Sequence, residues 1–312
     1  MKPKSFVLLI ASLWTSHLVA QTNPLWTEKK IKNYLPHMTV TEVNDFLKKS
    51  DMVIIPVGAL EQHGYHLPIG TDFIAGVERC KLLAQQRDIL VAPVLMAGQS
   101  PYHMGFAGTV TLKSETIIQV HMEAVESLIS HGFKRFIILT AHTGNTAIVQ
   151  MLVDKINQTS AGIAVSFDQA IAPFMERPSS STAMSTTTPL VLDQHGGTGE
   201  TSNAMYLMPD LVQLEKAVAA KLTMPSHLQS MMPKVIANDP TAVLVFGVET
   251  LKAQGTGKKT SSVEISSTGV FGERDPKEST VERGAASTNR STQAAVKFID
   301  RWNELRPYGG KK

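Results

Sequence analysis

The sequence predicts an α/β fold in which a mainly parallel sheet is covered on both faces by helices. Short apolar runs rich in β-branched residues alternate along the chain with longer segments whose apolar residues recur at helical spacing. Hydrophobic residues make up 43% of the 312 positions and charged residues only 18%, which is typical of a protein with a globular core. No internal repeat or dividing linker is evident. We therefore expect one domain over residues 21–312.

The first predicted elements are a helix, a strand, a helix and a second strand. Thr39 is a candidate N-cap for a helix over 39–49, whose apolar residues have helical spacing. The run "MVIIPVG" at 52–58 is typical of a buried strand. A helix over 73–87 and a strand over 89–95 follow.

The alternation continues to the end of the chain. Ser114 and Gly132 are interpreted as the N-cap and the stop signal of the next helix. The remaining predicted elements are a strand over 135–141, a helix over 145–158, a strand over 162–171 and a final helix over 287–305. A Ser/Thr-rich stretch at 177–189 and the stretch 253–259 are interpreted as loops.

The first 20 residues have the layout of a secretory signal peptide. Lys2 and Lys4 precede an apolar stretch at 6–13, and a small residue, Ala20, marks the expected cleavage site. A membrane anchor is the alternative, but the apolar run is shorter than the roughly 20 residues that span a bilayer. We expect an exported protein, either periplasmic or secreted, with no membrane insertion after cleavage. The single cysteine, Cys80, excludes an intramolecular disulfide and is interpreted as a core residue.

The charge pattern excludes one class of partner. The formal net charge is +3, and the basic residues are scattered along the chain. Nucleic-acid binding needs a clustered basic surface, so we do not expect a nucleic-acid partner.

Three polar clusters carry the candidate chemistry. "PVGALEQHGYHLPIGTD" (56–72) follows the first strand and contains Glu61, His63 and Asp72; Glu61 and His63, two residues apart, would point to the same side. "TAHTGN" places His142 after the strand at 135–141, and "HGGTGETS" contains His195 and Glu200. Ligands bind beyond the carboxyl ends of parallel strands, so we expect the ends of 52–58 and 135–141 to face the site. Imidazoles and carboxylates around one cavity indicate a divalent metal: zinc, manganese or iron.

Other catalytic motifs do not fit. A single histidine after a strand is usually structural, and only the combination of clusters favours metal binding. The sequence has neither G-x-S-x-G nor H-E-x-x-H. "GGTGETS" has Glu200 where a phosphate-binding loop has lysine, which excludes that interpretation.

These segments resemble motifs of the creatininase (creatinine amidohydrolase) family. The stretch 56–72 resembles its P-x-G-S-x-E-Q-H-G-P-H-L-P-x-x-T-D signature, and "SPYHMGFAGT" (100–109) is similar to S-x-E-H-x-x-F-P-G-T. "TAHTGN" resembles N-G-H-G-G-N, "HGGTGETS" resembles H-A-G-x-x-E-T-S, and "STGVFGERDPKEST" (267–280) resembles S-G-V-x-G-x-P. The motifs occur in family order over roughly residues 35–305.

The resemblance implies a three-layer α/β/α sandwich with a binuclear centre of divalent ions, zinc or manganese, with iron as a further option. By matching positions, Glu61 and His142 would hold one metal, His63 the other, and Asp72 would bridge them. It also implies a homo-oligomer, a hexamer, that acts on a small-molecule amide. His195 is then the candidate general acid for the leaving nitrogen.

Departures from the family pattern concern the second metal and the substrate. Gly144 stands where creatininase has a metal-binding glutamate, so either Glu200 substitutes or the second metal is weakly held. Creatininase itself has tryptophans near its active site, whereas this chain keeps only Trp26 and Trp302, both near its ends, after signal removal; creatinine itself is therefore not expected as the substrate. His103, Thr143 and Asn145 are candidates for substrate binding; His66 is expected to support the ligands without binding metal.

The sequence therefore predicts a metal-dependent hydrolase of a non-peptide, cyclic amide that uses a metal-bridging water. Formamide hydrolysis and peptide hydrolysis stay open as alternatives within the enzymes. A non-catalytic binding protein with the same fold is the alternative from another class.

Overall fold

The computed structural model describes residues 23, 27–175, 193–221, 223, 226–237, 239–250, 261–272 and 274–309. The predicted signal peptide and the two predicted loops at 177–189 and 253–259 lie outside the described residues. Residues 31–312 form one compact unit, and the residues before them are assigned to a separate one. Within the described part of the chain, no helix is both long and apolar enough to cross a membrane.

Within the described residues, the main sheet has four parallel strands: β1 (Met52–Val57), β2 (Leu90–Val91), β3 (Arg135–Thr140) and β4 (Ile163–Ser166). Their order across the sheet is β2-β1-β3-β4, so β1 and β3 are neighbours at its centre. The two pair over six residues, from Met52 opposite Arg135 to Val57 opposite Thr140. The predicted parallel sheet is confirmed.

Helices account for most of the remaining described residues. Those packed around the main sheet are α1 (Val40–Leu47), α2 (Thr71–Gln86), α3 (Ser114–Ser130), α4 (Thr146–Thr159), α5 (Phe167–Ile171) and α11 (Val281–Leu305). A further helix, α6 (Thr198–Leu207), packs on α2 and α11. Four further helices are α7 (Ser226–Gln229), α8 (Met232–Ile236), α9 (Pro240–Thr250) and α10 (Ser261–Ile265). A short antiparallel pair joins β5 (Asp193–His195) to β6 (Phe271–Gly272).

Alternate side chains of β1 enter two separate hydrophobic cores. Val53 and Ile55 pack in a core shared with α1, α3 and α4, whereas Met52 and Ile54 pack in a core shared with α2, α5 and α11. All four side chains are fully buried, and each contributes roughly 1.5–3 kcal/mol by leaving water. The sheet is therefore covered on both faces, and the three-layer α/β/α architecture is confirmed.

The helix boundaries partly follow the predicted caps. Thr39 caps α1 with a full capping box, because its side chain accepts from the Glu42 N–H and Glu42 bonds back to the Thr39 N–H. The prediction that Ser114 caps α3 is wrong, since Ser114 is the first helical residue and Lys113 precedes it without a side-chain cap. The final helix begins six residues earlier than predicted, at Val281, because Thr280 accepts a hydrogen bond from the Arg283 N–H.

Two predicted strands are shorter than expected. The strand predicted over 162–171 ends at Ser166, whose side chain accepts from the Gln169 N–H and starts α5. β2 pairs with β1 at only two positions, and Pro93, which has no N–H to donate, follows shortly after it. Cys80 is buried in α2, as predicted.

Because β1 and β3 are adjacent and parallel, their carboxyl ends meet at one edge of the sheet. The segments that follow them carry Glu61, His63 and His142. The predicted location of the candidate site is therefore the one that the fold provides.

Candidate metal centre

The loop after β1 is held in a closed shape that fixes Glu61. The Glu61 N–H donates to the Ile69 carbonyl at 2.9 Å, and Leu60 forms an isolated bridge with Val110. The chain then enters α2 at Thr71, two residues before the predicted start. Asp72 consequently lies in the first helical turn, where the positive end of the helix dipole favours a carboxylate.

Glu61, Asp72 and His142 form a first group of candidate ligands. His142 Nδ1 lies 3.3 Å from Glu61 Oε1 and 3.2 Å from Asp72 Oδ2. All three side chains are buried. Their donor atoms lie close enough together to surround one ion.

His63, Asp72 and Glu200 form a second group. His63 Nε2 lies 3.3 Å from Asp72 Oδ1 and 3.7 Å from Glu200 Oε2. Glu200 is in the first turn of α6, and its Oε2 also accepts the Gly196 N–H at 2.6 Å. Asp72 therefore belongs to both groups and directs one carboxylate oxygen toward each histidine.

The two histidines are oriented by main-chain carbonyls. His63 Nδ1 lies 3.1 Å from the Glu61 carbonyl oxygen, and His142 Nε2 lies 3.2 Å from the Gln99 carbonyl oxygen. A carbonyl only accepts, so in a neutral ring each of these nitrogens carries the proton. The other nitrogen, which faces the carboxylates, then carries the lone pair that a metal ion needs.

Burial and neighbouring charges shift the pKa values in this cluster. Burial raises the pKa of Glu61 to about 7. Burial alone would lower the pKa of His63, but Asp72, Glu200 and Glu61 outweigh it and raise that pKa to about 10. For Asp72, burial is outweighed by the adjacent imidazoles of His63 and His142, which hold its pKa well below the usual range.

Several buried atoms of the cluster make no protein hydrogen bond. They are both carboxylate oxygens of Glu61, Nε2 of His63 and Oδ2 of Asp72. Burying such groups without a partner is costly, and all of these atoms belong to residues of the candidate metal groups, whose donor atoms surround one space, the cavity of the site. Carboxylate oxygens and neutral imidazoles are ligands of zinc and manganese, so the residues present fit two divalent ions that share Asp72.

Tyr102 is a member of the site that the sequence did not reveal. Its hydroxyl lies 2.9 Å from His142 Nε2. A side chain at position 144 would overlap both that hydroxyl and His142 Nε2, so Tyr102 occupies the space that a larger residue at Gly144 would need. The motif that residues 100–109 resemble has glutamate at position 102, and creatininase itself has glutamate at position 144, so these two departures together were the available signal.

His195 and His103 line the same cavity. His195 Nδ1 lies 3.5 Å from Glu61 Oε1, and together with Glu61 and His63 it forms a third group that could hold an ion. His103 stacks on His195 with ring centroids 4.3 Å apart, and its Nε2 lies 4.0 Å from Glu61 Oε1. Burial lowers the pKa of His103 to about 3 and that of His195 well below the usual value, with His63 adding to both shifts.

His66 is directed away from the candidate ligands. Its Nε2 lies 2.8 Å from the Thr201 hydroxyl, and its carbonyl accepts the Gln213 N–H. Thr201 follows Glu200 in α6, so this hydrogen bond joins the loop after β1 to the helix that carries Glu200. The supporting role of His66 stays a prediction.

Asn145 and Thr143 have contacts other than the predicted ones. The Asn145 side chain is fully buried; it accepts the Gln99 N–H and donates to the Gly58 carbonyl. It therefore ties the segment that orients His142 to the end of β1. Thr143 is exposed, and its carbonyl accepts from the Thr146 hydroxyl. Substrate contact by either residue stays a prediction.

The sequence matches a known protein family over most of its length. Residues 36–299 match the family model described as "Creatininase: Creatinine amidohydrolase". The chain belongs to the creatininase family. The match extends from the first helix to the last and contains every residue of the two candidate metal groups.

The curated relatives of this creatininase-family chain have three different names. It is 31% identical over 123 residues to the 3-dehydro-scyllo-inosose hydrolase of Thermotoga maritima, and the matched region covers 39% of each chain. It is 30% identical to creatinine amidohydrolase of Pseudomonas putida, over 54% of this chain and 68% of that one. It is 27% identical to the mycofactocin precursor peptide peptidase of Mycolicibacterium smegmatis, over 63% of this chain and 73% of the relative.

Solved creatininase structures have the same fold. A creatininase mutant superposes with a TM-score of 0.61 at 21% identity, over 88% of this chain and 99% of the other. The structure named "Creatininase Mn" gives 0.59 at 22% identity over the same shares. Another creatininase mutant, described as "Zn-Zn type", gives 0.60 at 21% identity, again over 88% and 99%.

Proposed function

We propose that this protein is a metal-dependent amidohydrolase that cleaves a C–N amide bond in a small molecule. The observation that carries the proposal is the position of Asp72, whose two oxygens face His63 and His142 at 3.3 and 3.2 Å. A carboxylate shared by two groups of ligands is the arrangement of two-metal hydrolytic sites. Membership of a family whose curated relatives are named as hydrolases and a peptidase supports the same chemistry.

Two divalent ions in this cavity would acidify a shared water and polarise the carbonyl of a bound amide. The protein's own part is to hold the five candidate ligands in place and to move a proton. His195 Nδ1 faces the cavity, and its Nε2 lies 2.6 Å from the Gln62 carbonyl oxygen, so the lone pair of the neutral ring is on Nδ1. His195 can therefore accept a proton from the attacking water and return it to the leaving nitrogen.

In this proposal, Glu200 supplies the carboxylate that is missing at position 144. Tyr102 leaves no room for a side chain at Gly144, whereas Glu200 Oε2 lies 3.7 Å from His63 Nε2. The carboxylate is on a helix, and its hydrogen bond from Gly196 fixes its direction. Of the two possibilities left open by the sequence, this geometry favours substitution by Glu200.

Hydrolysis of a peptide is the second candidate. The match to the mycofactocin precursor peptide peptidase covers 63% of this chain, more than the 54% covered by the match to creatinine amidohydrolase. Cyclic amides and short peptides present the same planar C–N bond to the site. The two candidates therefore differ only in what surrounds that bond.

A substrate panel with metal-loaded protein tests both functions. Purified protein loaded with manganese or zinc would be offered cyclic amides, linear formamides and short peptides, and products would be followed by mass spectrometry. Ring opening supports the first candidate, and release of an amino acid or of formate supports the alternatives. Metal binding without turnover of any amide would support the binding-protein alternative and overturn the proposal.

We further propose that the protein is exported and forms a homo-oligomer. The layout of residues 1–20 supports export, and the family resemblance supports a hexamer. Amino-terminal sequencing of the protein recovered from the periplasmic fraction tests the first point. Sedimentation equilibrium tests the second.

A further inference from the structure

The side chain of Gln62 lies at the centre of the histidines that line the cavity. Its Nε2 lies 3.0 Å from His103 Nδ1, 3.1 Å from His195 Nε2 and 2.9 Å from the Gly269 carbonyl oxygen. Its Oε1 accepts the Gly64 N–H at 2.9 Å. Gln62 lies between two candidate ligands in the chain, but its amide contacts His103 and His195.

The orientation of the Gln62 amide is fixed by the main chain. The Gly64 N–H can only donate, so the atom that it faces must be the oxygen. The Gly269 carbonyl can only accept, so the atom that it faces must be the NH₂ group. Both main-chain contacts would become repulsive if the amide were turned over.

One of the two amide hydrogens of Gln62 is used by Gly269, and the other has two histidines within reach. His195 Nε2 also lies 2.6 Å from the Gln62 carbonyl oxygen, which makes that nitrogen a donor. A protonated nitrogen cannot accept, so the second amide hydrogen goes to His103 Nδ1. That nitrogen must then carry the lone pair of the His103 ring.

The proton of a neutral His103 ring is consequently on Nε2, the nitrogen that faces the cavity 4.0 Å from Glu61 Oε1. A ring fixed in this tautomer cannot bind a metal through Nε2. It can donate a hydrogen bond to an oxygen in the cavity. His195 has the opposite arrangement, with its lone pair on the cavity side.

We infer that Gln62 is a positioning residue that sets the Nε2–H tautomer in both His103 and His195, whose rings face the cavity with opposite edges, and that His103 Nε2–H is a hydrogen-bond donor to the substrate carbonyl oxygen. This assignment of the donor rests on the proposed hydrolase function. The tautomers themselves do not depend on it. Neutral donors aimed at the developing oxyanion are among the strongest contributions to acyl transfer.

Gly269 is required for this arrangement. Its φ of 76° is in the left-handed region, and a Cβ at this position would overlap Gln62 Oε1. The segment "STGVFG" therefore supplies both a carbonyl acceptor and the space for the amide. Gly269→Ala should displace Gln62 without altering any candidate ligand.

The ring tautomers can be measured in metal-free protein by two-bond ¹H–¹⁵N correlation spectra of ¹⁵N-histidine-labelled samples. Signals would be assigned with His103→Asn and His195→Asn variants. In the wild-type protein we expect His103 protonated on Nε2 and His195 protonated on Nε2 with a bare Nδ1. In Gln62→Glu the new carboxylate can accept a hydrogen bond from His103, so the proton of the His103 ring should move to Nδ1. Gln169→Glu, the same change at an exposed position, should leave both patterns unchanged.

Kinetics of metal-loaded protein give the second readout. Gln62→Glu and Gly269→Ala should keep wild-type metal content while kcat falls about 10²-fold, because the oxyanion loses its donor. A wild-type His103 protonated on Nδ1, or a His103 tautomer that does not respond to Gln62→Glu, would overturn the inference. If the tautomers are as predicted but the protein hydrolyses no amide, the positioning role of Gln62 still stands. The proposed hydrolase function and the donor role of His103 would then both be wrong. Hydrolysis at the wild-type rate by both variants would also remove the donor role.

Discussion

Asp72 and His142 are 3.2 Å apart from Oδ2 to Nδ1, although 70 positions separate them in the chain. The first turn of α2 holds the carboxylate, and the segment directly after β3 holds the imidazole. The other oxygen of Asp72 faces His63 at 3.3 Å. A single carboxylate thus joins the segments after the two central strands, and the first prediction follows from it.

Replacing Asp72 with alanine should remove most of both bound metal ions, because this side chain is the one that both candidate groups share. We expect activity to be lost with the metal, as measured by inductively coupled plasma mass spectrometry after dialysis. Asp154→Ala, which removes an exposed carboxylate from α4, is the matched control and should bind normally. Two ions per chain in Asp72→Ala would show that Asp72 is not the bridge.

Glu200→Gln should weaken one ion selectively. The amide oxygen can still accept the Gly196 N–H, but a neutral ligand binds a cation less strongly than a carboxylate. We expect one tightly bound ion to remain and the second to dissociate during dialysis. Glu126→Gln on the exposed face of α3 serves as the control. Unchanged stoichiometry would assign Glu200 the structural task of holding Gly196 against the start of α6.

Much of the fold could be predicted because the strands have strong local signals. β1 and β3 are continuous apolar runs, and their parallel pairing follows from the helices between them. The end of the strand predicted over 162–171 was wrong because Ser166, which looks compatible with a strand, caps a helix instead. The four helices between residues 226 and 265 were not predicted, since their sequence has no clear amphipathic period.

The candidate site was predictable to the extent that its residues follow strand ends. Glu61, His63 and His142 meet because parallel strands bring their carboxyl ends together. Tyr102 was missed because its role depends on a steric relation with Gly144, which is distant in sequence and has no periodicity. The hydrogen bonds of Asn145 to the main chain were missed for the same reason.

Away from the site, Asp51 and Arg135 form a buried ion pair with Oδ1 and Nε 2.5 Å apart. The Asp51→Ala variant should lose about 3–5 kcal/mol of unfolding free energy, because it leaves the Arg135 charge buried beside Asn303 without its main partner. Urea denaturation monitored by circular dichroism measures the loss.

Asp300→Ala is the matched control, since Asp300 makes the same 2.5 Å contact with Arg87 at the surface. We expect it to cost less than about 1 kcal/mol. Adding Arg135→Met to Asp51→Ala should recover part of the loss. Equal costs for the two single variants would mean that the buried pair contributes no more than an exposed one.

Metal affinity should rise with pH. In the metal-free protein the pKa of His63 is raised to about 10, so its ring is protonated at neutral pH and an ion must displace that proton. Affinity should therefore increase by up to tenfold per pH unit between about 7 and 9.

The raised pKa also affects the stability of the metal-free fold. His63 stabilises that fold fully below the pKa of 6.5 that the side chain has in the unfolded chain, and this contribution is lost as the pH rises through about 10.

Calorimetric titration with zinc in buffers of different ionisation enthalpy counts the protons released. We expect at least one per chain at pH 8, and more below pH 7, where Glu61, whose pKa is raised to about 7, is also protonated. Heat that does not depend on the buffer would contradict the prediction.

The His195→Ala variant distinguishes between two possible roles of His195, that of a proton carrier and that of a metal ligand. His195 Nδ1 lies 3.5 Å from Glu61 Oε1 and belongs to a third group that could hold an ion. We expect a proton carrier, because Asp72 completes two other groups of candidate ligands without His195. The variant should then keep two ions while kcat falls about 10²–10⁴-fold. The loss should be smaller for an amide whose leaving nitrogen is a weak base, since such a group departs with less help from a proton.

Loss of an ion would identify His195 as a ligand and require another acid, for which His103, fixed as a donor by Gln62, is the nearest residue. Near-normal kcat with a strongly basic leaving group would contradict proton transfer by His195 altogether.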